Sequence, residues 1–181
     1  MSDGITPPAG ALPAEIAKWE FLRDAPNQDA VTREIQTLAA PLAHVASRSP
    51  WPAYAFACLA QCLAKDCITY VLDTDRVGRE QIDGFTDPQG PADMSYLRGS
   101  EDCDGKARLF VALCLAARIK ARMVGRWQHG RLAHVYAEVY SNGPTELRQR
   151  WWTVETILRR ARLGDIAEQV PTEPETGKWS Q

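Results

Sequence analysis

The stretch from Ala107 to Ala117 constrains this chain more than any other. Ala107, Leu109, Phe110, Val111, Ala112, Leu113, Cys114, Leu115, Ala116 and Ala117 are interrupted only by Arg108. A helix that is apolar nearly all round must be surrounded by the rest of the protein, so it predicts a central, buried helix. Directly before it stands Glu101-Asp102-Cys103-Asp104-Gly105-Lys106. Asp102 is suited to the N-cap, because its carboxylate can accept the free N–H groups of the first turn. Cys103 then falls on the first turn, where the helix dipole and unpaired N–H groups favour a thiolate. Glu101, Asp102 and Asp104 work against it, since like charge raises a thiol pKa. A cysteine placed here as a nucleophile therefore needs a cationic partner. The alternative is a cysteine that is simply a small buried hydrophobe.

With 181 residues, the chain can bury one sizeable core. Its formal net charge of −2 gives no electrostatic basis for nucleic-acid binding. No apolar run reaches the roughly 18 residues that a membrane span needs, and the N-terminus lacks the pattern of a signal peptide. The five cysteines lack the paired spacing of a disulfide framework, which favours a reducing interior. The expectation is a cytoplasmic protein with no membrane or nucleic-acid partner.

Residues 1–13, rich in Pro, Gly and Ala, read as a flexible tail, and residues 171–181 as another. Between them the pattern predicts one domain over 14–170, with N-terminal helices in 14–70 and the functional core in 85–156. Ile16, Trp19 and Leu22 keep a helical period over Ala14–Arg23, which Pro26 is expected to end. A second helix, capped by Asn27 or Asp29, should run to about Ser47 with a kink or break at Pro41. A third begins after Pro50-Trp51-Pro52 and reaches about Lys65. It carries Cys58 and Cys62, one turn apart, with Cys67 beyond. Their apolar surroundings favour core packing over half of a metal site. Ile68–Leu72 fits either a continued helix or a strand. Asp73–Ser100, punctuated by Gly and Pro, reads as a long surface loop leading into Cys103. The central helix is expected to end near Lys120.

After it the period changes from 3.6 to 2. Arg122–Gln128 reads as a strand, His129-Gly130-Arg131 as a tight hairpin and Leu132–Tyr140 as a second strand. On the second strand Ala133, Val135, Ala137 and Val139 face one way, and His134, Tyr136, Glu138 and Tyr140 the other. Ser141-Asn142-Gly143-Pro144 begins a turn, and Trp151–Thr156 forms a third strand. Ile157–Val170 reads as an amphipathic helix. Three antiparallel strands after a buried helix predict an α+β fold. In this order Cys103, His134 and Glu155 are candidates for nucleophile, base and orienting carboxylate, with His129 at the hairpin tip as the competing base. Such a pairing predicts a thiolate–imidazolium couple, with the Cys103 thiol below its reference near about 8.5.

Three segments resemble the core motifs of the transglutaminase-like superfamily. They are Gly99-Ser100-Glu101-Asp102-Cys103-Asp104-Gly105-Lys106-Ala107, Ala133-His134-Val135-Tyr136-Ala137-Glu138-Val139-Tyr140 and Trp152-Thr153-Val154-Glu155-Thr156. Ile119-Lys120-Ala121-Arg122-Met123-Val124-Gly125 is similar to the linker of that family. The resemblance spans about residues 85–156. Glu155 stands where the family more often has Asp, Glu101 precedes Asp102 where Gly is usual, and Tyr136 replaces a Trp. The resemblance implies a papain-like core with an added N-terminal helical region, a Cys-His-Glu triad and acyl chemistry on peptide or isopeptide amides. It is closest to the small stand-alone bacterial and phage type. No cofactor, metal or calcium loop is implied. A peptide or protein substrate would be the partner. The Cys103 N–H is the natural first oxyanion donor, and Tyr96 the candidate for the second. Asp102, Trp127, Tyr136 and Trp152 are candidates for lining the substrate site. Two readings compete: a non-catalytic module of the same fold, and a thiol metal or redox protein built on Cys58, Cys62 and Cys67.

Overall fold

The computed structural model describes residues 5–70, 92, 97, 100–158 and 160–165. Among the described residues, four long helices surround and include the apolar segment: α1 (Pro13–Asp29), α2 (Arg33–Ala46), α3 (Pro52–Asp66) and α4 (Cys103–Ala116). A three-stranded antiparallel sheet follows in the order β3 (Ala121–Gln128), β4 (Arg131–Gly143), β5 (Glu146–Val154). Two short strands, β1 (Thr69–Tyr70) and β2 (Ser100–Glu101), pair in parallel. Together these give an α+β arrangement consistent with a papain-like core.

α4 lies at the centre, packed on α1, α2, α3 and the sheet. Leu109, Phe110, Ala112, Leu113 and Cys114 are fully buried in it. They meet Trp19 and Leu22 of α1, Ile35 of α2, Phe56 and Ala60 of α3, and Val135, Ala137, Val139, Trp152 and Val154 of the sheet. Arg108, the polar break in the apolar run, forms a bidentate buried ion pair with Asp29 at 2.6 and 2.9 Å. That pair ties the end of α1 to α4. It accounts for α1 continuing past Pro26, where the sequence predicts a stop. Pro26 lacks an N–H but its carbonyl still accepts from Ala30 at 3.0 Å.

Other boundaries differ from expectation for local reasons. α2 is capped by Thr32, whose hydroxyl accepts from the Ile35 N–H, rather than by Asn27 or Asp29. It runs unbroken through Pro41, which is exposed. α4 stops at Ala116 rather than near Lys120. The Arg118 N–H donates to the Leu115 carbonyl (2.9 Å) and the Ile119 N–H to the Cys114 carbonyl (2.8 Å), with Arg118 left-handed at φ 59°. This is a Schellman closure with arginine where glycine is usual. His129 (φ 51°) and Gly130 (φ 76°) make the two-residue turn between β3 and β4. β4 continues through the expected turn at Ser141–Gly143, and β5 starts at Glu146, where its first half is solvent-facing. The helix expected over Ile157–Val170 is absent among the described residues 157–158 and 160–165, which form bends and turns. There Gly164 (φ 95°) folds back, its N–H donating to the Thr153 carbonyl at 2.8 Å. From Ile5 the expected N-terminal tail is held: Trp19 Nε1 donates to the Ile5 carbonyl (2.9 Å), and the Leu12 N–H to the Gly130 carbonyl (3.0 Å). Most of the loop expected over Asp73–Ser100 lies outside the described residues. Ala92 and Leu97 within it are helical, and Ala92 is buried.

Candidate active site

The site forms at the end of the sheet where β5 stops. β5 ends at Val154, paired with Ala137, while β4 extends on toward Arg131. Past that level β4 has no β5 neighbour, and its Val135 N–H meets the sulfur of Cys103 instead. Cys103 opens α4. Asp102 caps it as expected, its Oδ1 accepting from the Gly105 N–H at 3.1 Å. The Asp102 side chain is therefore committed to the cap and buried, rather than turned outward to a substrate.

His134, the residue before Val135, sits opposite Arg126 of β3. Its Nε2 lies 2.8 Å from Glu155 Oε2. Glu155 comes just after β5, at the level of Tyr136, so it reaches His134 diagonally across the strands. The extra methylene of Glu relative to Asp spans that diagonal. The carboxylate also curls back over its own chain: Oε1 accepts from the Thr156 N–H at 2.8 Å and the Ile157 N–H at 3.1 Å. Both oxygens are engaged, and the group is 1% exposed. Gln61 of α3 donates Nε2 to the Glu155 carbonyl at 2.9 Å, fixing the main chain from behind. Tyr136 stacks beside the His134 ring, with centroids 6.3 Å apart and 27° between planes. Burial, then the nearby Glu138, pushes its hydroxyl up.

The electrostatics around Cys103 oppose the expected ion pair. Burial first, then Asp102 and Asp104, push the thiol up to about 12. The Val135 N–H and the Lys18 ammonium pull it down by less. At neutral pH these surroundings hold a thiol rather than a resting thiolate. Lys18 of α1 forms an ion pair with Asp104 Oδ2 at 3.1 Å, so part of the acidic surroundings of Cys103 is answered from α1.

The two candidate tryptophans pack in or against the core. Trp152 is in the core on the face opposite Glu155, its Nε1 donating to the Ser141 carbonyl (2.9 Å) and its ring edge-on to Tyr54. Trp127 packs edge-on against Trp19 of α1 at 6.4 Å. Gly125 leaves room for that contact, since a Cβ there would lie 3.2 Å from the Trp19 ring and 2.7 Å from Leu132. Tyr96 lies outside the described residues. Cys62 and Cys67 are exposed, so the core packing expected of Cys62 does not hold, while Cys58 is half-buried. Among the described residues no group of three or more His, Cys, Asp or Glu side chains is placed to hold a metal ion.

Three neighbours of the site escaped the sequence reading: Lys18, Gln61 and Lys106. Gln61 and Lys106 did leave a signal. Each is a polar side chain within the buried stripe of its helix, Gln61 among Ala57, Ala60 and Ala64, and Lys106 immediately before the apolar run. Lys18 on α1 carries no such mark.

No curated protein and no solved structure gives a significant match to this chain. The model of the transglutaminase-like superfamily matches residues 59–156, which contain α4, the whole sheet, Cys103, His134 and Glu155. That match covers more than half of the chain, and by it the chain belongs to the transglutaminase-like superfamily.

Proposed function

We propose that this protein is a cysteine-dependent acyl-transfer enzyme that hydrolyses peptide or isopeptide amides, with Cys103 as nucleophile, His134 as base and Glu155 as the carboxylate that orients it. One observation carries this reading. Glu155 Oε2 lies 2.8 Å from His134 Nε2, at the sheet end where the adjacent Val135 N–H meets the Cys103 sulfur. Glu155 holds Nε2, leaving Nδ1 as the nitrogen that takes the proton.

The chemistry follows from that assignment. Because the surroundings favour the thiol, the proton leaves sulfur as the bond to carbon forms. The Cys103 sulfur attacks the amide carbonyl while its proton passes to His134 Nδ1. Glu155 stabilises the imidazolium and does not itself take the proton. The negative charge on oxygen is met by backbone donors such as the Cys103 N–H. Collapse breaks the C–N bond, and the amine leaves with the His134 proton, giving a thioester. Water, deprotonated by His134, then attacks the thioester, releasing the carboxylic acid and restoring the thiol. The setting proposed is the cytoplasm, or a virion, which the five free thiols support. Among the described residues no helix is long and apolar enough to cross a membrane.

The second reading is a non-catalytic module, and the high Cys103 thiol favours it. Incubation with p-nitrophenyl acetate, followed by intact-mass and peptide mapping, separates the two. The enzyme reading expects an acetyl thioester on Cys103 that hydroxylamine removes, with none at that site in Cys103→Ala. A folded wild-type protein that never acetylates at Cys103 would leave the module.

A further inference from the structure

Lys106 lies on the first turn of α4, yet it is 1% exposed. Its Nζ points toward two main-chain carbonyls, Lys65 at 3.4 Å and Thr156 at 3.5 Å. Both contacts are long for hydrogen bonds, so the ammonium acts there mainly through its charge. Thr156 follows Glu155, and its own N–H already donates to the Glu155 carboxylate. A buried cation thus sits at the main chain of the residue that follows Glu155, whose carboxylate faces His134. The charged groups around it are Asp66 and Lys65 at the end of α3 and Glu155 after β5.

We propose that Lys106 is a positioning residue that holds the Glu155 turn and shares the charge of the Glu155 carboxylate with the His134 ring. The inference rests on the proposed roles of Cys103, His134 and Glu155. A buried carboxylate needs a countercharge. On the His134 side that charge exists only when the ring carries a proton, and a protonated ring cannot accept one from a thiol. Lys106 supplies the countercharge from the other side. Burial lowers the ammonium to about 8, with Asp66 and then Glu155 opposing that shift, so it is predominantly charged at neutral pH.

The test compares Lys106→Met, which keeps the length and loses the charge, with Lys106→Arg, which keeps the charge. The His134 ring is followed by NMR across pH in each protein, and Cys103 alkylation by iodoacetamide is followed in parallel. In Lys106→Met the pH midpoint for protonation of the His134 ring should rise by about one unit or more. The alkylation rate should begin its rise at correspondingly higher pH. Lys106→Arg should restore both curves toward wild type. Lys106→Met should stay folded, because it removes a buried charge. If it does not fold, Lys106→Gln serves in its place. An unchanged His134 midpoint in the charge-removing variant would overturn the proposal and reduce Lys106 to packing. The NMR curve does not depend on whether Cys103 reacts. A shifted ring midpoint with an inert Cys103 would therefore support the role of Lys106 while refuting the enzyme reading.

Discussion

Replacing His134 with alanine should silence Cys103. With or without the imidazole, burial, Asp102 and Asp104 push the thiol up to about 12, and His134→Ala takes away the base that lets it react as a thiol. At pH 7 that leaves a thiolate fraction of about 10⁻⁵, against about 3% for a freely exposed thiol with a reference near 8.5. The gap is about three and a half orders of magnitude. The more basic thiolate is also the better nucleophile, which returns about one and a half orders. The net expectation for His134→Ala is that Cys103 alkylates about a hundredfold more slowly than an exposed thiol, before any loss of access is counted. Cys62 and Cys67 are exposed and serve as internal clocks in the same sample. Limiting iodoacetamide followed by quantitative peptide mapping gives the Cys103-to-Cys62 ratio directly. In wild type that ratio should be near one or above it at pH 7. In His134→Ala it should fall about a hundredfold, stay level while both thiols lie below their pKa, and climb by one log unit per pH unit only above about pH 8.5, where the exposed reference thiol has titrated. The same ratio in both proteins would mean that His134 does not act on Cys103, and the proposed chemistry would fail with it.

Three further outcomes follow from other contacts. Glu155→Gln keeps the shape but presents an amide with one donor end and one acceptor end to a site that needs two acceptors, one for His134 and one for the Thr156 and Ile157 N–H groups. It should lower turnover of p-nitrophenyl acetate by roughly 10³–10⁴-fold, the scale seen when such a carboxylate is lost, and normal turnover would reduce the site to a Cys-His dyad. Asp29→Ala leaves Arg108 buried and unpaired and should cost about 3–5 kcal/mol in urea unfolding, whereas Asp29→Leu with Arg108→Met should come much closer to wild type. Arg118→Gly relieves a left-handed residue at the end of α4 and should add about 1 kcal/mol, read as a rise of roughly 2–4 °C in Tm, with no effect on Cys103 alkylation.

What could be read from the sequence was whatever a short period or a short motif encodes. The apolar run announced a surrounded helix, and Asp102 before Cys103 announced where it begins. Alternation along β4 placed Val135, Ala137 and Val139 inward and His134 and Tyr136 on the other face, as the burial pattern has it. Contacts made at a distance were not legible. The continuation of α1 past Pro26 depends on Arg108, 79 residues away from Asp29. The hydrophilic first half of β5 reads as a loop because no core covers it, yet β4 supplies its hydrogen bonds. Aromatic residues on strands do not declare their face by type, and Trp152 falls on the core side because it pairs with Val139.

The same division explains why Cys103 and His134 were easier to single out than the groups around them. A thiol at a helix start and an imidazole on an alternating strand are each defined within a few residues. The proton affinity of that thiol is not. It is set by burial under α1 and the sheet, by the Val135 N–H that β5 leaves uncovered, and by Lys18 reaching Asp104 from α1. None of these lies within a helical turn of Cys103 in the sequence. The local motif carries both a helix N-terminus that favours a thiolate and carboxylates that oppose it; the assembled surroundings hold a thiol, because desolvation joins the two carboxylates against one dipole and one N–H. In the proposed chemistry the burden of activation then shifts from the helix to His134. That ring meets Glu155, and Glu155 is held by Gln61 from α3 and by its own following N–H groups, with Lys106 Nζ 3.5 Å from the Thr156 carbonyl. The N-terminal helices are therefore part of the site: α3 fixes the carboxylate main chain, and α1 answers one of the acids beside the thiol.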